Sequence, residues 1–254
     1  MISLLIGAAV ALVVSIFGTP YAIRLLRRRQ IGQFIQDDIQ RQHAHKQGTP
    51  TMGGVVFVLA CLIGYFVAHL RIWTPSTGFS LQLLPFGAGG LLAVMALVGM
   101  AVVGFVDDYI KFTNQRSLGL SKGAKFGAQL VIAILFAMGA SAADVVTEVS
   151  FVRPLGIDLG AFFFIWVLIM LTGAANGVNL ADGMDGLASG SGALVVGAYT
   201  IIAFWQFRNA APNGIYEAVD PLELATLSAA MFAALLGFLW WNAPPAKIFM
   251  GDVG

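Results

Sequence analysis

Long apolar runs, separated by short polar segments, dominate the pattern of hydrophobic and polar positions in this sequence. Seven runs have lengths of about 18 to 24 residues, which is what a helix needs to cross the hydrocarbon core of a bilayer. The pattern therefore predicts an all-α polytopic membrane protein with seven transmembrane helices. The predicted spans are residues 2–23, 52–70, 83–106, 126–143, 161–178, 187–207 and 224–241.

The composition supports lipid as the solvent of this chain. Hydrophobic residues make up 58% of the 254 residues and charged residues only 11%, whereas soluble domains carry about 25% charged residues. We therefore expect residues 1–254 to form one integral membrane domain. The net charge is +1, and no pattern of basic and aromatic residues predicts binding of nucleic acid.

The basic residues predict how the chain is oriented in the membrane. Only Arg71, Arg153 and Arg208 lie in the loops of one side, which follow the second, fourth and sixth spans. Short cytoplasmic loops are enriched in lysine and arginine, so the more basic side is predicted to be cytoplasmic and the N-terminus to lie outside. The basic residues of that side are Arg24, Arg27, Arg28, Arg29, Arg41, Lys46, Lys111, Arg116, Lys122, Lys125 and Lys247.

Four short polar motifs lie at the predicted cytoplasmic ends of the spans. They are residues 48–54 (GTPTMGG), 107–111 (DDYIK), 176–185 (NGVNLADGMD) and 249–252 (FMGD). Carboxylate oxygens are the ligands that Mg²⁺ prefers, and lysines beside glycines suit phosphate groups. The motifs therefore predict a magnesium-dependent enzyme that acts on phosphate-bearing substrates.

The first acidic motif directly follows an apolar run. Lys111 comes four residues after Asp107 and three after Asp108, so it shares their face if the helix continues. Adjacent side chains point about 100° apart around a helix; we expect one carboxylate to face the interior and the other to face water or a metal. A polar helix end at the headgroup level is the alternative for this pair alone.

The second acidic motif has polar residues at every third position: Asn176, Asn179, Asp182 and Asp185. Its glycines favour a broken helix, which is tolerated at membrane depth only where the backbone is buried in protein or lines a cavity. A glycine-rich turn is the simpler alternative. It leaves unexplained two acids without a neighbouring base, which are costly near hydrocarbon.

The last motif and the first loop offer further candidates. Asp252 stands alone among apolar residues. Phe249 either stacks on a base or anchors its loop, and Asn242 either contacts a nucleotide or caps a helix. In the first loop, Lys46 offers an ammonium group and Thr51 a hydroxyl group to a phosphate.

Cysteine and histidine contribute little to the predicted chemistry. The single cysteine, Cys61, excludes a disulfide framework and a Cys/His metal site, and we interpret it as a small packed side chain. No catalytic role is predicted for the three histidines, His43, His45 and His69.

Together these motifs closely resemble those of the bacterial phospho-N-acetylmuramoyl-pentapeptide transferases. Lys46 with residues 48–54 is the most specific part of the resemblance. Residues 107–111 and 176–186 are shared with the wider family of polyprenyl-phosphate sugar-1-phosphate transferases. Residues 242–254 resemble the nucleotide and magnesium loop of that family, so the resemblance covers nearly the whole chain.

The resemblance implies a function. A member of this family transfers phospho-MurNAc-pentapeptide from UDP-MurNAc-pentapeptide to undecaprenyl phosphate, releases UMP and forms lipid I. The expected cofactor is Mg²⁺, and the expected location is the bacterial inner membrane, with the active site facing the cytoplasm. The expected partners are the two substrates and membrane lipid, and a homodimer is compatible with the resemblance.

The resemblance also implies roles for individual residues. It makes Asp252 the foremost Mg²⁺ ligand, with Asp182 as a further ligand, and places Asp107 and Asp108 at the metal and the lipid phosphate, one of them as base. A covalent aspartyl intermediate is an alternative. Phe249 would stack on uracil. The other implied substrate-binding residues are Lys46, Thr51, Lys111, Lys125, Asn176, Asn179, Asp182, Asp185 and Asn242.

The C-terminus departs from the family pattern. The family has about ten spans and a histidine-rich motif before the last, whereas this chain ends at Gly254 after seven predicted spans. We therefore expect a catalytic domain that is incomplete at its C-terminus.

Three other functions are alternatives. A sister enzyme that uses UDP-N-acetylglucosamine shares the acidic motifs but not residues 48–54. An ion-coupled transporter predicts acids in mid-span, whereas these lie at span ends. A purely structural membrane protein gives no reason for acids to gather on one side.

Overall fold

The computed structural model describes residues 2–29, 49–74, 78–114, 118–150, 154–209 and 220–254. These residues form seven α-helices and two β-hairpins. The helices are α1 (Ile2–Arg28), α2 (Gly54–Ala68), α3 (Ala88–Asn114), α4 (Lys122–Ala142), α5 (Phe163–Ala181), α6 (Leu187–Arg208) and α7 (Pro221–Asn242). The antiparallel hairpins pair β1 (Leu70–Thr74) with β2 (Gly78–Leu83) and β3 (Glu148–Ser150) with β4 (Pro154–Asp158).

The predicted all-α polytopic membrane fold is confirmed. Within the described ranges, six helices are long and apolar enough to cross a bilayer. The exception is α2, which has 15 residues and is shorter than its predicted span. The backbone just before Gly54 forms hydrogen bonds with the loop after α7, and β1 begins just after His69. These two features limit the length of α2. The hairpins are additions to the predicted spans.

Helix α7 forms the centre of the bundle and packs against α1, α2 and α6. Small residues allow these close contacts: a Cβ atom on Gly237 would lie 2.8 Å from the Cβ atom of Ser15. The Ser15 hydroxyl donates a hydrogen bond of 2.7 Å to the carbonyl of Ala234, and Trp241 Nε1 donates one of 3.0 Å to the carbonyl of Ile16. The C-terminal halves of α1 and α7 therefore lie at the same end of the bundle.

Helices α4 and α5 form a second, looser unit. They pack on each other through a small cluster of Ala133, Ala137 and Val167, and Val167 is the one buried residue described for α5. Because α5 makes little contact with α6, a cavity lies between this helix pair and the central bundle.

Candidate active site

Three carboxylates from distant parts of the sequence meet at one end of the bundle. Asp107 and Asp108 lie near the end of α3, and Asp252 lies in the loop after α7. One oxygen of each carboxylate lies within 4.8 Å of the others. The backbone N–H of Asp252 also donates a hydrogen bond of 2.8 Å to Asp108 Oδ2. We call Asp107, Asp108 and Asp252 the acid cluster.

Two lysines approach the acid cluster. Lys111 Nζ lies 2.6 Å from Asp107 Oδ2, 3.7 Å from Asp108 Oδ1 and 3.0 Å from Asp252 Oδ2. Lys125 Nζ lies 2.7 Å from Asp252 Oδ2. The ammonium group of Lys111 thus lies among the carboxylates, where a cation is favourable, and carboxylate oxygens are the ligand type that Mg²⁺ prefers. These residues fit a magnesium site.

The predicted orientation of the two adjacent aspartates is wrong. Both are buried, with exposed fractions of 3% for Asp107 and 6% for Asp108, because a different segment covers each of them. Leu120 N–H donates to Asp107 Oδ1 at 2.8 Å, and the backbone of Asp252 covers Asp108. Both carboxylates can therefore contribute to one site.

Asp252 is held as a carboxylate by its neighbours. Burial alone would raise the pKa of this group. The ammonium groups of Lys125 and Lys111 counteract burial, and the pKa of Asp252 lies below its usual value. The group is thus ionised near neutral pH, as a metal ligand must be.

The first-loop motif and the last motif pair through their backbones. Phe249 N–H donates to the carbonyl of Pro50, and Gly53 N–H donates to the carbonyl of Phe249, both at 2.8 Å. Glycine is required where the chains approach closely: a Cβ atom on Gly54 would lie 2.5 Å from the nitrogen of Gly254. The glycines of the first loop thus help to position the segment that carries Asp252.

The other candidate residues in the first loop are Thr51 and Lys46. A Cβ atom on Gly251 would lie 3.0 Å from Thr51 Oγ1 and 2.5 Å from Asp108 Oδ2, so Thr51 lies beside the acid cluster. Lys46, with His43 and His45, lies outside the described residues.

The second acidic motif breaks later than predicted. Helix α5 continues without interruption to Ala181, and the irregular backbone occupies residues 182–186. Asp182 Oδ2 accepts a hydrogen bond of 2.9 Å from Gly251 N–H, and Asp185 Oδ2 accepts one of 3.0 Å from Ala246 N–H. The two acids bind the backbone of the loop after α7, which explains why the sequence places no base beside them.

The structure separates the polar residues of this motif. Asp182 is not part of the acid cluster. It accepts a hydrogen bond from the backbone N–H of Gly251, the residue before Asp252. Asn179 lines the cavity beside α5. Asn176 Nδ2 donates to the carbonyl of Thr172 at 2.7 Å, one turn back along the same helix.

Two predicted substrate contacts lie inside the protein. Asn242 is only 1% exposed; its Nδ2 donates to the carbonyl of Ile248 at 2.9 Å, and its Oδ1 accepts from Ser189 Oγ at 2.6 Å. Phe249 is only 5% exposed, which supports the anchoring alternative over stacking on a base. Ser189 was missed because a serine on an apolar helix gives no signal in the sequence.

A cavity of about 300 Å³ adjoins the acid cluster. Its lining by described residues is apolar, with residues such as Leu97, Met100 and Val178, except for four polar residues. The polar residues of the lining are Lys125, Gln129, Asn179 and Asp252. An apolar space that ends at lysine and carboxylate groups suits a molecule with an apolar body and a charged end.

Comparison with known proteins agrees with this chemistry. Residues 90–254 match the family model described as Glycosyl transferase family 4, and residues 46–58 match Phospho-N-acetylmuramoyl-pentapeptide-transferase signature 1. The chain is 47% identical over 281 residues to the phospho-N-acetylmuramoyl-pentapeptide-transferase of Paenarthrobacter aurescens; the match covers 100% of this chain and 74% of that protein.

Enzymes of the same name from other bacteria are similarly related. The one from Frankia casuarinae is 48% identical over 269 residues, and the one from Saccharopolyspora erythraea is 47% identical over 271 residues. Each match covers 100% of this chain and 72% of the relative.

Proposed function

The chain belongs to the phospho-N-acetylmuramoyl-pentapeptide-transferase family, and from this premise we propose that the acid cluster is its catalytic centre. The protein makes lipid I by transferring phospho-MurNAc-pentapeptide from UDP-MurNAc-pentapeptide to a lipid acceptor. The observation that carries the proposed site is the convergence of Asp107, Asp108 and Asp252 beside two lysines and an apolar cavity.

The acceptor that we propose is undecaprenyl phosphate. One oxygen of its phosphate attacks the phosphorus that carries the sugar, a new diphosphate bond forms, and the bond to UMP breaks. The apolar cavity supports an acceptor with an isoprenoid body, because the cavity ends at Lys125 and Asp252. Lys111 and Lys125 are placed to bind the phosphate oxygens, since ammonium groups seek phosphate.

The carboxylates of the acid cluster would hold Mg²⁺. When bound there, the ion would neutralise negative charge on the diphosphate and on the departing UMP. One carboxylate of the Asp107 and Asp108 pair accepts the acceptor's remaining proton when its phosphate arrives singly ionised. Asp252 would hold the ion together with them.

Asp182 and Asp185 act through the loop that follows α7. Their hydrogen bonds to Gly251 N–H and Ala246 N–H support a role in fixing this loop, and with it the carboxylate of Asp252. Asp182 would thus act on the metal site through the backbone. Asn176 and Asn179 lie on the preceding helix turns, beside the cavity proposed for the acceptor.

We propose that the protein lies in the bacterial inner membrane with this site facing the cytoplasm. The acid cluster lies at the end of the bundle where α1 ends in Arg27 and Arg28, and arginine-rich ends are typical of the cytoplasmic side. UDP-linked substrates are available on that side.

The test is release of UMP by the full gene product in membranes, with undecaprenyl phosphate and either UDP-MurNAc-pentapeptide or UDP-N-acetylglucosamine. We expect turnover of the muramyl substrate that requires Mg²⁺ and is lost in Asp252→Ala. The matched control is Asp158→Asn, which alters an exposed aspartate on the second hairpin and should keep full activity.

The alternatives predict different results. Turnover of only the acetylglucosamine substrate would assign the protein to the sister enzymes. Equal activity of Asp252→Ala and the unaltered protein would show that the acid cluster takes no part in the reaction.

A further inference from the structure

Gln129 is a buried polar residue for which the proposed chemistry has no role. It lies on α4 one helical turn after Lys125, and both residues line the apolar cavity. Its exposed fraction is only 3%. A buried amide group without a hydrogen-bond partner is unfavourable, so a residue of this kind beside a cavity requires an explanation.

The hydrogen bonds of Asn176 determine how the amide group of Gln129 is oriented. A carbonyl oxygen only accepts hydrogen bonds, so the atom of Asn176 that lies 2.7 Å from the carbonyl of Thr172 must be its nitrogen. The same nitrogen lies 3.5 Å from Gln129 Oε1. The oxygen of Gln129 therefore faces Asn176, and its NH₂ group lies on the other side.

That NH₂ group is an available donor. Among the residues that the structure describes, Gln129 Nε2 donates no hydrogen bond. It is also not among the side-chain atoms that are fully enclosed without a partner, so it reaches the open space of the cavity that Gln129 lines. The cavity thus has a neutral donor at Gln129 and a charged donor at Lys125.

The chemistry of the cavity indicates what this donor binds. Four polar residues interrupt an otherwise apolar lining, which suits a ligand with an anionic end and an apolar chain. A sugar nucleotide that carries a peptide is polar throughout and does not suit an apolar space of about 300 Å³. The acceptor lipid is the substrate that has both an anionic end and an apolar chain.

We propose that Gln129 binds the lipid acceptor by donating a hydrogen bond from Nε2 to an oxygen of its phosphate group. This inference rests on the proposed function. Lys125 Nζ lies 2.7 Å from Asp252 and is shared with the acid cluster, whereas the Gln129 amide is committed only to Asn176. Gln129 therefore adds a directed donor for the incoming phosphate without changing the charge of the site.

The test compares Gln129→Leu with the unaltered protein in membranes, with Gln206→Leu as the matched control. Gln206 lies near the far end of α6 and does not line the cavity. A net hydrogen bond to a charged group corresponds to a change in affinity of about tenfold or more. We expect the KM for undecaprenyl phosphate to rise about tenfold in Gln129→Leu, with the KM for UDP-MurNAc-pentapeptide changed less than about twofold.

Two further comparisons separate phosphate binding from general damage. Gln129→Glu keeps the size of the side chain but places a carboxylate beside the phosphate, so its KM for the acceptor should rise more than that of Gln129→Leu. With farnesyl phosphate as acceptor, Gln129→Leu should show the same fold increase, because this acceptor has the same phosphate on a shorter chain.

Several outcomes would overturn the assignment. They are an unchanged acceptor KM in both Gln129 variants, a rise in the KM for the nucleotide substrate alone, or a rise with undecaprenyl phosphate that is absent with farnesyl phosphate. Absence of turnover in the unaltered protein would instead refute the proposed function.

Discussion

Two buried polar clusters lie at opposite ends of the same helices. The acid cluster lies where α3 ends and α7 gives way to its loop. The other cluster consists of Tyr65 and His69 at the end of α2 and Glu223 in the first turn of α7; we call it the histidine clamp. The start of α3 lies beside the clamp, since a Cβ atom on Gly90 would lie 2.7 Å from Glu223 Oε2. The clusters are thus about 25 Å apart along α3.

The histidine clamp is held by hydrogen bonds of Tyr65 and His69 to Glu223. His69 Nδ1 lies 2.9 Å from the carbonyl of Tyr65 and must donate to it, while Nε2 lies 2.8 Å from Glu223 Oε1. The Tyr65 hydroxyl also donates to Glu223, and the ring of Phe86 stacks on His69 at 4.2 Å.

The difference between the clusters shows which of them is suited to chemistry. Among the residues that the structure describes, the acid cluster has three carboxylates for two lysines, and it adjoins a cavity. In the histidine clamp, the Glu223 carboxyl group is hydrogen-bonded to an imidazole and a hydroxyl group, and aromatic rings pack around them. An excess of carboxylate beside open space favours binding a cation and a phosphate, whereas a hydrogen-bonded and enclosed cluster stabilises contacts between helices.

The strongest test of this comparison disturbs the acid cluster without removing a charge. A Cβ atom on Gly104, one turn before the paired aspartates, would overlap the backbone carbonyl of Asp252. Gly104→Ala should displace Asp252 and lower kcat about a hundredfold, the cost that misplacement by about 1 Å can carry.

The control for Gly104→Ala is Gly173→Ala on α5, where a Cβ atom would meet nothing within 4 Å. This variant should retain its activity, because alanine is also the better residue in a helix. Full activity in Gly104→Ala would show that the close approach of Asp252 to α3 is not needed for turnover.

The second test removes the carboxyl group from the histidine clamp. Glu223→Gln takes away the carboxyl group that is hydrogen-bonded to His69 and Tyr65, and we expect a loss of about 1–3 kcal/mol in the free energy of unfolding. Turnover at low temperature should stay within about twofold, since the clamp lies far from the acid cluster.

The measurement for Glu223→Gln is thermal unfolding in detergent, with Glu148→Gln on the second hairpin as its matched control. For a chain of this size, 1 kcal/mol corresponds to roughly 2–4 °C in Tm. A loss of turnover at unchanged Tm would contradict the separation of the two clusters.

The third test has the smallest expected effect. It concerns Ser189, which supports the loop that carries Asp252. Ser189→Ala leaves Asn242 Oδ1 buried without its donor and should loosen the loop that carries Asp252, with a fall in kcat of about threefold to tenfold. Ser191→Ala on the exposed face of α6 is the control, since this hydroxyl bonds only to its own helix.

A double-mutant cycle shows whether Ser189 acts through Asn242. If it does, Ser189→Ala combined with Asn242→Ala should be no worse than Asn242→Ala alone. Additive losses would show that Ser189 does not act through Asn242.

Much of the site was predictable from the sequence because the acids stand out against an apolar background. The predicted convergence of the paired aspartates with Asp252 is present in the structure. The predicted one-in, one-out orientation failed because helix periodicity says nothing about chain segments that fold over a helix end. Hydrogen bonds from Asp182 and Asp185 to backbone amides were likewise missed, since backbone donors have no signature in the side-chain sequence.

The sequence by itself determined the membrane fold, since the length of an apolar run decides whether a helix spans a bilayer. It also determined which ends of the helices carry charge. The tertiary structure alone decided how these charges are matched: Asp252 lies 144 residues from Asp108, and Glu223 lies 154 residues from His69. Electrostatic interactions depend on distance in space, so only the packing of the helices separates a hydrogen-bonded clamp from a site with an excess of carboxylate.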